Sequence, residues 1–176
     1  MVRKVFYSFH YQNDITRAMI VRNRWVTFGN QVSSGIIDKA DFETIQRQGD
    51  AAIKRWIDKQ LEGTSATLVL IGSETLKRDW VQYEILKSVE RGNAIIGVYI
   101  NWIKDFNGNI SFASDKNTVI AYEGAYPIRF SDVADGIYDY VLNDGYNNLD
   151  SWVENALEVR RRKIAWEQRK NLFGIM

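Results

Sequence analysis

Ala66-Thr67-Leu68-Val69-Leu70-Ile71-Gly72-Ser73-Glu74-Thr75-Leu76-Lys77-Arg78-Asp79-Trp80-Val81-Gln82-Tyr83-Glu84-Ile85 carries the strongest architectural signal in the chain. Ala66 to Ile71 is a short apolar run without a breaker, the pattern of a buried strand. After a loop, Asp79 with Gln82 three residues on reads as an N-cap and a variant capping box, because the Asp oxygen can accept an otherwise unpaired backbone N–H. Val81, Ile85 and Val89, with Leu86 beside them, form the buried stripe of the helix, and Gly92 after Arg91 supplies its stop. Residues four apart are helix neighbours, so Glu84 falls beside Trp80 at the edge of that stripe. The stretch also carries the best candidate for a catalytic carboxylate, Glu84.

The same alternation extends in both directions. Val5 to Phe9 reads as a first strand, and Asn13 or Asp14 can cap a helix running through Ile15, Met19 and Val26 to Gly29. A second strand is expected at Gly35-Ile36-Ile37, then a polar loop from Asp38 to about Gly49. Asp50 opens a helix with Ile53, Trp56, Ile57 and Leu61 on one face, closed by Gly63. A fourth strand spans Asn93 to Ile100. Helices alternating with short buried strands predict an α/β fold, with a mostly parallel central sheet of four to five strands and helices on both faces. Residues 101–127 break the pattern and are expected to form an irregular excursion or short hairpin. From Val133 to about residue 170 the chain reads as helical, interrupted at Asn143-Asp144-Gly145. No repeat or low-complexity linker divides it, so 1–176 is expected to form one domain.

Composition narrows the function classes. A chain of 176 residues can bury roughly 70% of its unfolded surface without crosslinks. The absence of cysteine excludes a disulfide framework, thiolate zinc sites and a Cys nucleophile, and fits a reducing, cytoplasmic setting. With one His, no metal site is expected. Lys and Arg number 23 against 22 Asp and Glu, so no field for nucleic acid or anionic lipid is expected. No run approaches the ~20 apolar residues of a membrane span, and the N-terminus leads directly into a strand rather than a secretory signal. The six Trp and nine Tyr are accounted for chiefly by core packing.

Parallel sheets bind ligands at the carboxyl ends of their strands. Ser8 to Asn13, Asp38 to Phe42 and Ser73 to Trp80 would meet there. Ser8 and His10 share a strand face with Phe6, since side chains alternate. A Ser-His hydrolase is disfavoured, because the nucleophile elbow and a third triad member are missing. Gly-rich phosphate loops are also absent, which disfavours a Rossmann dehydrogenase. Tyr11 could stack on a base and Arg22 meet a pyrophosphate, although a surface aromatic and a helix-face Arg are the simpler readings. For Glu84 the plain alternative is a helix-surface carboxylate paired with Lys87 or Ser88. The basic tail from Arg160 to Lys170 reads as a solvated helix face.

Three features together resemble a TIR domain. The strand Lys4-Val5-Phe6-Tyr7-Ser8-Phe9 resembles the family's aromatic-rich opening strand. Ser73 to Ile85 is similar to its Ser, short loop, Trp, then Glu four residues later with an aliphatic after it. That pattern also follows a third strand and opens a helix, as in the family. The resemblance is closer to the TIR-like proteins of the bacterial Thoeris anti-phage systems, through Phe9-His10-Tyr11-Gln12, Val21-Arg22-Asn23-Arg24-Trp25-Val26-Thr27, Leu70-Ile71-Gly72-Ser73, Trp80-Val81-Gln82-Tyr83-Glu84-Ile85, Asp144-Gly145-Tyr146-Asn147 and Ser151-Trp152-Val153.

The resemblance implies a flavodoxin-like, three-layer fold and NAD+ as substrate, with no further cofactor. It places Glu84 at the cleavage of the nicotinamide–ribose bond. Ser8, Phe9, His10, Tyr11, Asp38, Phe42, Ser73 and Trp80 are then expected in the substrate site. It further implies a cyclic ADP-ribose isomer as the product, a signal to a partner effector that depletes NAD+. Two departures stand out: Asp38 to Gly49 lacks the proline of the family's covering loop, and Val81 replaces a frequent Cys. No single loop looks able to enclose a dinucleotide, so activity is expected to need self-association. A non-catalytic TIR interaction module and a nucleoside hydrolase or deoxyribosyltransferase on the same fold are the alternatives.

Overall fold

The structure is a computed structural model that describes residues 3–27, 31–34 and 39–173, and side chains outside 26–42 and before 173. In chain order it runs β1 (Arg3–Phe9), α1 (Tyr11–Thr27), β2 (Gln31–Ser34), α2 (Lys39–Arg47), α3 (Asp50–Leu61), β3 (Ala66–Ile71), a 3₁₀ turn (Thr75–Lys77), α4 (Asp79–Glu90) and β4 (Ala94–Tyr99). It continues with β5 (Val119–Glu123), β6 (Tyr126–Arg129), α5 (Phe130–Val133), β7 (Gly136–Asp139) and α6 (Gly145–Phe173). The main sheet has the order β2-β1-β3-β4-β7, and every pairing in it is parallel. After β1 the chain moves outward to β2 and then returns to β3 on the other side of β1. The carboxyl ends of β1 and β3 therefore flank the topological switch point, where such sheets open a crevice.

Alternation along the strands divides the core. Val5, Tyr7 and Phe9 pack with Leu68, Leu70, Ile96 and Val98 against Ala18, Val21 and Trp25 of α1 and Leu149, Trp152 and Val153 of α6. Facing the other way, Val69, Ile71 and Ile95 meet Val81 and Ile85 of α4 and Phe130 of α5. Phe6 packs beneath α3, against Ile53, Ile57 and Leu61, with Trp80 and Tyr83 at the margin. β3 is buried along its whole length, as a central strand covered on both faces must be. Ser8 follows Phe6 in the period of two, so it points toward the α4 side.

Several expectations are corrected. Arg78, not Asp79, is the N-cap of α4 and makes no side-chain cap bond, so Asp79 is the first helical residue. There its charge still favours the positive end of the helix. Gln82 closes no capping box: its amide donates to the carbonyl of Leu76 at 2.9 Å and tethers the helix to the preceding turn. Helix α1 begins at Tyr11, because the N–H of Asp14 already donates to the carbonyl of His10 at 2.9 Å. Much of the expected polar loop from Asp38 to Gly49 is α2. The second strand lies at Gln31–Ser34, while the expected Gly35-Ile36-Ile37 lies outside the described residues. Helix does not begin at 133 and continue. Gly136–Asp139 is the edge strand β7 beside β4, fixed by Asp135, whose N–H donates to Ile95 O at 2.7 Å and whose Oδ2 accepts Ile95 N–H at 2.9 Å. The stop at Gly92 is as read: φ is +81° there, with Asn93 N–H on Ser88 O at 2.9 Å and Gly92 N–H on Val89 O at 3.0 Å, a Schellman closure. β5 and β6 form an antiparallel hairpin that begins inside the expected excursion.

Candidate active site

Glu84 lies one and a half turns into α4, on the side that overhangs the carboxyl end of β1. Neither expected surface partner holds its carboxylate. Lys87 pairs with Glu90 at 2.7 Å, and the Ser88 hydroxyl donates to the Glu84 carbonyl instead. The carboxylate turns inward and accepts the Ser8 hydroxyl at 2.5 Å. Removal from water disfavours its charged form and pushes the carboxyl up to about 8, although the Ser8 bond pulls the other way.

A cavity of about 220 Å³ opens above this carboxyl, lined by Phe9, His10, Tyr11, Gln12, Gln46, Trp56, Arg78, Trp80, Val81 and Glu84, with Tyr7 deeper in. Each wall has a structural cause. Phe9, His10 and Tyr11 leave the end of β1 together, with the Phe9 and Tyr11 rings stacked at 6.0 Å. Trp80, in the first turn of α4, is steadied by an edge contact with Tyr83 at 6.1 Å. Tyr83 in turn donates to Asp58 of α3 at 3.3 Å, tying the two helices that carry Trp56 and Trp80. Burial and the nearby Arg78 charge hold the His10 imidazole below the ordinary histidine range, with Glu74 opposing. His10 Nδ1 has no hydrogen-bond partner in the structure.

The loop between β3 and α4 is set from behind by a buried carboxylate. Asp14 is 1% exposed and accepts the Thr75 hydroxyl at 3.2 Å, while Thr75 Oγ1 accepts the Gly72 N–H at 2.8 Å. Burial lifts the Asp14 carboxyl to about 6 against the pull of Thr75 and Arg17. Arg17, 4.0 Å from Asp14, donates to the carbonyls of Ile103 at 2.7 Å and Asn109 at 2.9 Å. Ser114 donates to the Gly72 carbonyl at 3.0 Å from the same loop. Segment 101–114 is therefore irregular in backbone yet braces the turn that delivers Trp80 and Glu84.

Phe9, His10, Tyr11, Trp80 and Glu84 thus meet around one cavity, with Ser8 behind Glu84 rather than on the wall. Ser73 is placed off the wall, its carbonyl taken by Ser114 at 3.1 Å. Asp38 and the side chain of Phe42 lie outside what is described. Trp56 and Gln46 escaped the sequence reading, Trp56 absorbed into the core stripe of α3 and Gln46 into an expected loop; Gln12 and Arg78 fell within stretches expected to meet there without being singled out. Among the described residues, no group of three acidic or His side chains is placed to hold a metal ion.

A half-buried, desolvated carboxylate under an aromatic wall, at the switch point of a parallel sheet, can stabilise positive charge developing on a bound ligand. Together with the fold, it marks a flavodoxin-like α/β domain with its ligand site at the switch point. Residues 6–105 match the family described as Thoeris protein ThsB, TIR-like domain. The chain is also 39% identical, over 191 aligned positions, to a protein of Bacillus cereus (strain MSX-D12) named "Putative cyclic ADP-D-ribose synthase ThsB1"; the match covers 87% of this chain and 100% of that protein. The chain belongs to the TIR-like ThsB proteins of the Thoeris anti-phage defence system. No helix among its described residues is long and apolar enough to cross a membrane.

Proposed function

We propose that this protein cleaves NAD+ between nicotinamide and ribose at Glu84 and closes the ADP-ribosyl product into a cyclic ADP-ribose isomer. The observation that carries this is the Glu84 carboxyl, lifted to about 8 at the floor of an aromatic cavity and held by Ser8. The name of the Bacillus cereus relative supports the cyclic product. A carboxyl buried with one hydroxyl partner costs folding energy and gives an interaction module no binding surface, which favours the enzyme over that alternative.

NAD+ itself completes the site. Its nicotinamide ring is cationic, and a positive charge beside Glu84 favours the carboxylate, so substrate binding drives the proton off. As the C–N bond breaks, its electron pair leaves with neutral nicotinamide and positive charge develops on the ribose. The fixed carboxylate stabilises that charge and accepts hydrogen bonds from the ribose hydroxyls. The leaving group needs no protonation, so orientation between Trp80, Trp56 and Glu84 supplies much of the effect.

At about 220 Å³ the cavity is smaller than the ~300–1,000 Å³ usual for ligand pockets. The remainder of a dinucleotide extends outside it, and a second copy closing over the mouth would account for a self-association requirement. The product then signals, in the cytoplasm, to an effector that depletes NAD+. The test is chromatography with mass detection after concentrated protein meets NAD+. Nicotinamide plus a species one water lighter than ADP-ribose is expected. Linear ADP-ribose alone would remove the signalling role, and cleavage of nucleosides in preference to NAD+ would favour the nucleoside-processing alternative. Specific activity that stays flat on dilution would overturn self-association.

A further inference from the structure

Among the described residues, the cavity wall carries one carboxylate, Glu84, and one fixed cation, Arg78; the rest is aromatic, apolar or amide apart from the neutral His10. The two charges stand apart in a defined way. Arg78 is the N-cap of α4 and Glu84 lies six residues on, ~9 Å along the helix axis at 1.5 Å per residue. Glu84 is at the floor and Arg78, with its side chain 47% exposed, is at the rim. NAD+ is charged in the complementary sense: its nicotinamide riboside end is cationic, and the diphosphate that follows is anionic.

We infer that Arg78 is the specificity-determining residue that receives the diphosphate at the cavity mouth, so that the site selects the phosphorylated nicotinamide nucleotide over the free nucleoside. This rests on reading the cavity as an NAD+ site. The guanidinium is available for the role. Among the described residues its one ion pair, with Glu74, is long at 4.0 Å, and Glu74 is itself 42% exposed. A solvated pair of that length is easily given up for a diphosphate, which offers bidentate, doubly charged acceptors matched to the guanidinium fork. Burial first, and the Arg78 charge after it, lower the titration of His10 on the same wall. Among the described residues, the wall offers that diphosphate no other cationic partner, so the discrimination falls on Arg78.

The test is calorimetric titration of NAD+ and nicotinamide riboside into the full chain bearing Glu84→Gln, which does not consume ligand, with and without Arg78→Gln and Arg78→Lys. Arg78→Gln should weaken NAD+ about ten-fold or more, the range for losing a hydrogen bond to a charged group. It should leave nicotinamide riboside within about two-fold and flatten the salt dependence of NAD+ affinity, and Arg78→Lys should recover part of the loss. Equal weakening of both ligands would make Arg78 structural and overturn the inference, as would no change for NAD+. If the Glu84→Gln chain binds neither ligand, the NAD+ reading itself falls and the inference with it.

Discussion

Ser8 Oγ donates to Glu84 Oε2 at 2.5 Å, joining residues 76 apart where the end of β1 meets the underside of α4. Among the described residues it is the one hydrogen bond the carboxylate receives. It fixes the direction of the carboxylate and opposes the desolvation that lifts its proton affinity.

Ser8→Ala should therefore move the pH profile in a known sense. Glu84 must be ionised to stabilise a cationic ribose, so kcat/KM should rise with pH through about 8 in the free enzyme. Losing the Ser8 bond removes the one influence that lowers this value, and the limb should move upward. Every pH unit the limb climbs costs about ten-fold in ionised fraction at pH 7, and much of the loss should return by about pH 9. The check is a pH–rate profile of both proteins; an unmoved limb would contradict the role given to Ser8.

The same burial should make Glu84 a stability liability. Below about 4.5 the carboxyl is protonated in both states. Between there and about 8 the unfolded chain releases its proton while the folded chain keeps it. With more protons bound in the folded state, stability falls as pH rises through that window, and above it the loss is complete. Glu84→Gln escapes this penalty. Its stability should match the wild type near pH 4.5 and exceed it above pH 8, by an amount on the order of a few kcal/mol. Thermal melts at the two ends of the window measure it, and a variant less stable at alkaline pH would contradict the burial argument.

Gly72→Ala probes the support behind the site. A Cβ at Gly72 would run into the Asp14 carboxylate. Overpacking of this kind costs about 1–3 kcal/mol, and here it also displaces the turn leading to Trp80 and Glu84. Activity should fall with Tm. Combining it with Asp14→Ala should cost less than the sum of the two single changes, because Asp14→Ala removes the carboxylate that the new Cβ meets.

Asp135 anchors the C-terminal helix. Its side chain is fully buried between Arg160 at 2.8 Å and Lys163 at 2.9 Å. Asp135→Ala takes the partner from the largely buried Arg160 and frees the Ile95 N–H, while the half-exposed Lys163 turns to water, so a loss of a few kcal/mol, on the order of 2–4, is expected. Denaturant titration checks it. The basic tail is thus not simply a solvated face: its first turn holds the β7 edge in place, while Arg161 and Arg162 pair outward with Glu158.

Where periodicity and burial agree, the sequence was enough to place β1, β3, β4, α3 and α4, because fully buried strands and amphipathic helices carry strong local patterns. Glu84 was legible as a site residue through the resemblance carried by its spacing from Trp80 after a third strand, not through any sign that its carboxyl turns inward. That depended on Ser8, and nothing local to either residue announces the contact. β7 was missed because Gly136–Asp139 is four residues of an edge strand whose pairing comes entirely from β4. Asp14 was read as a cap, the commonest use of Asp near a helix start; its true partners lie on loops far along the chain. Trp56 entered the cavity wall only once α3 and α4 were seen side by side, whereas Arg78 lay in a stretch already expected at that edge.

The assignment of the chemistry to Glu84 stands or falls on the rate of nicotinamide release from NAD+ by concentrated wild type and by Glu84→Gln, measured side by side on samples shown by thermal melt to be folded. A drop of about 10²–10³ in kcat is predicted for the variant, the usual loss of one fixed electrostatic stabiliser, with its Tm held or raised. Release by Glu84→Gln within a few-fold of the wild type would contradict a catalytic role for this carboxylate.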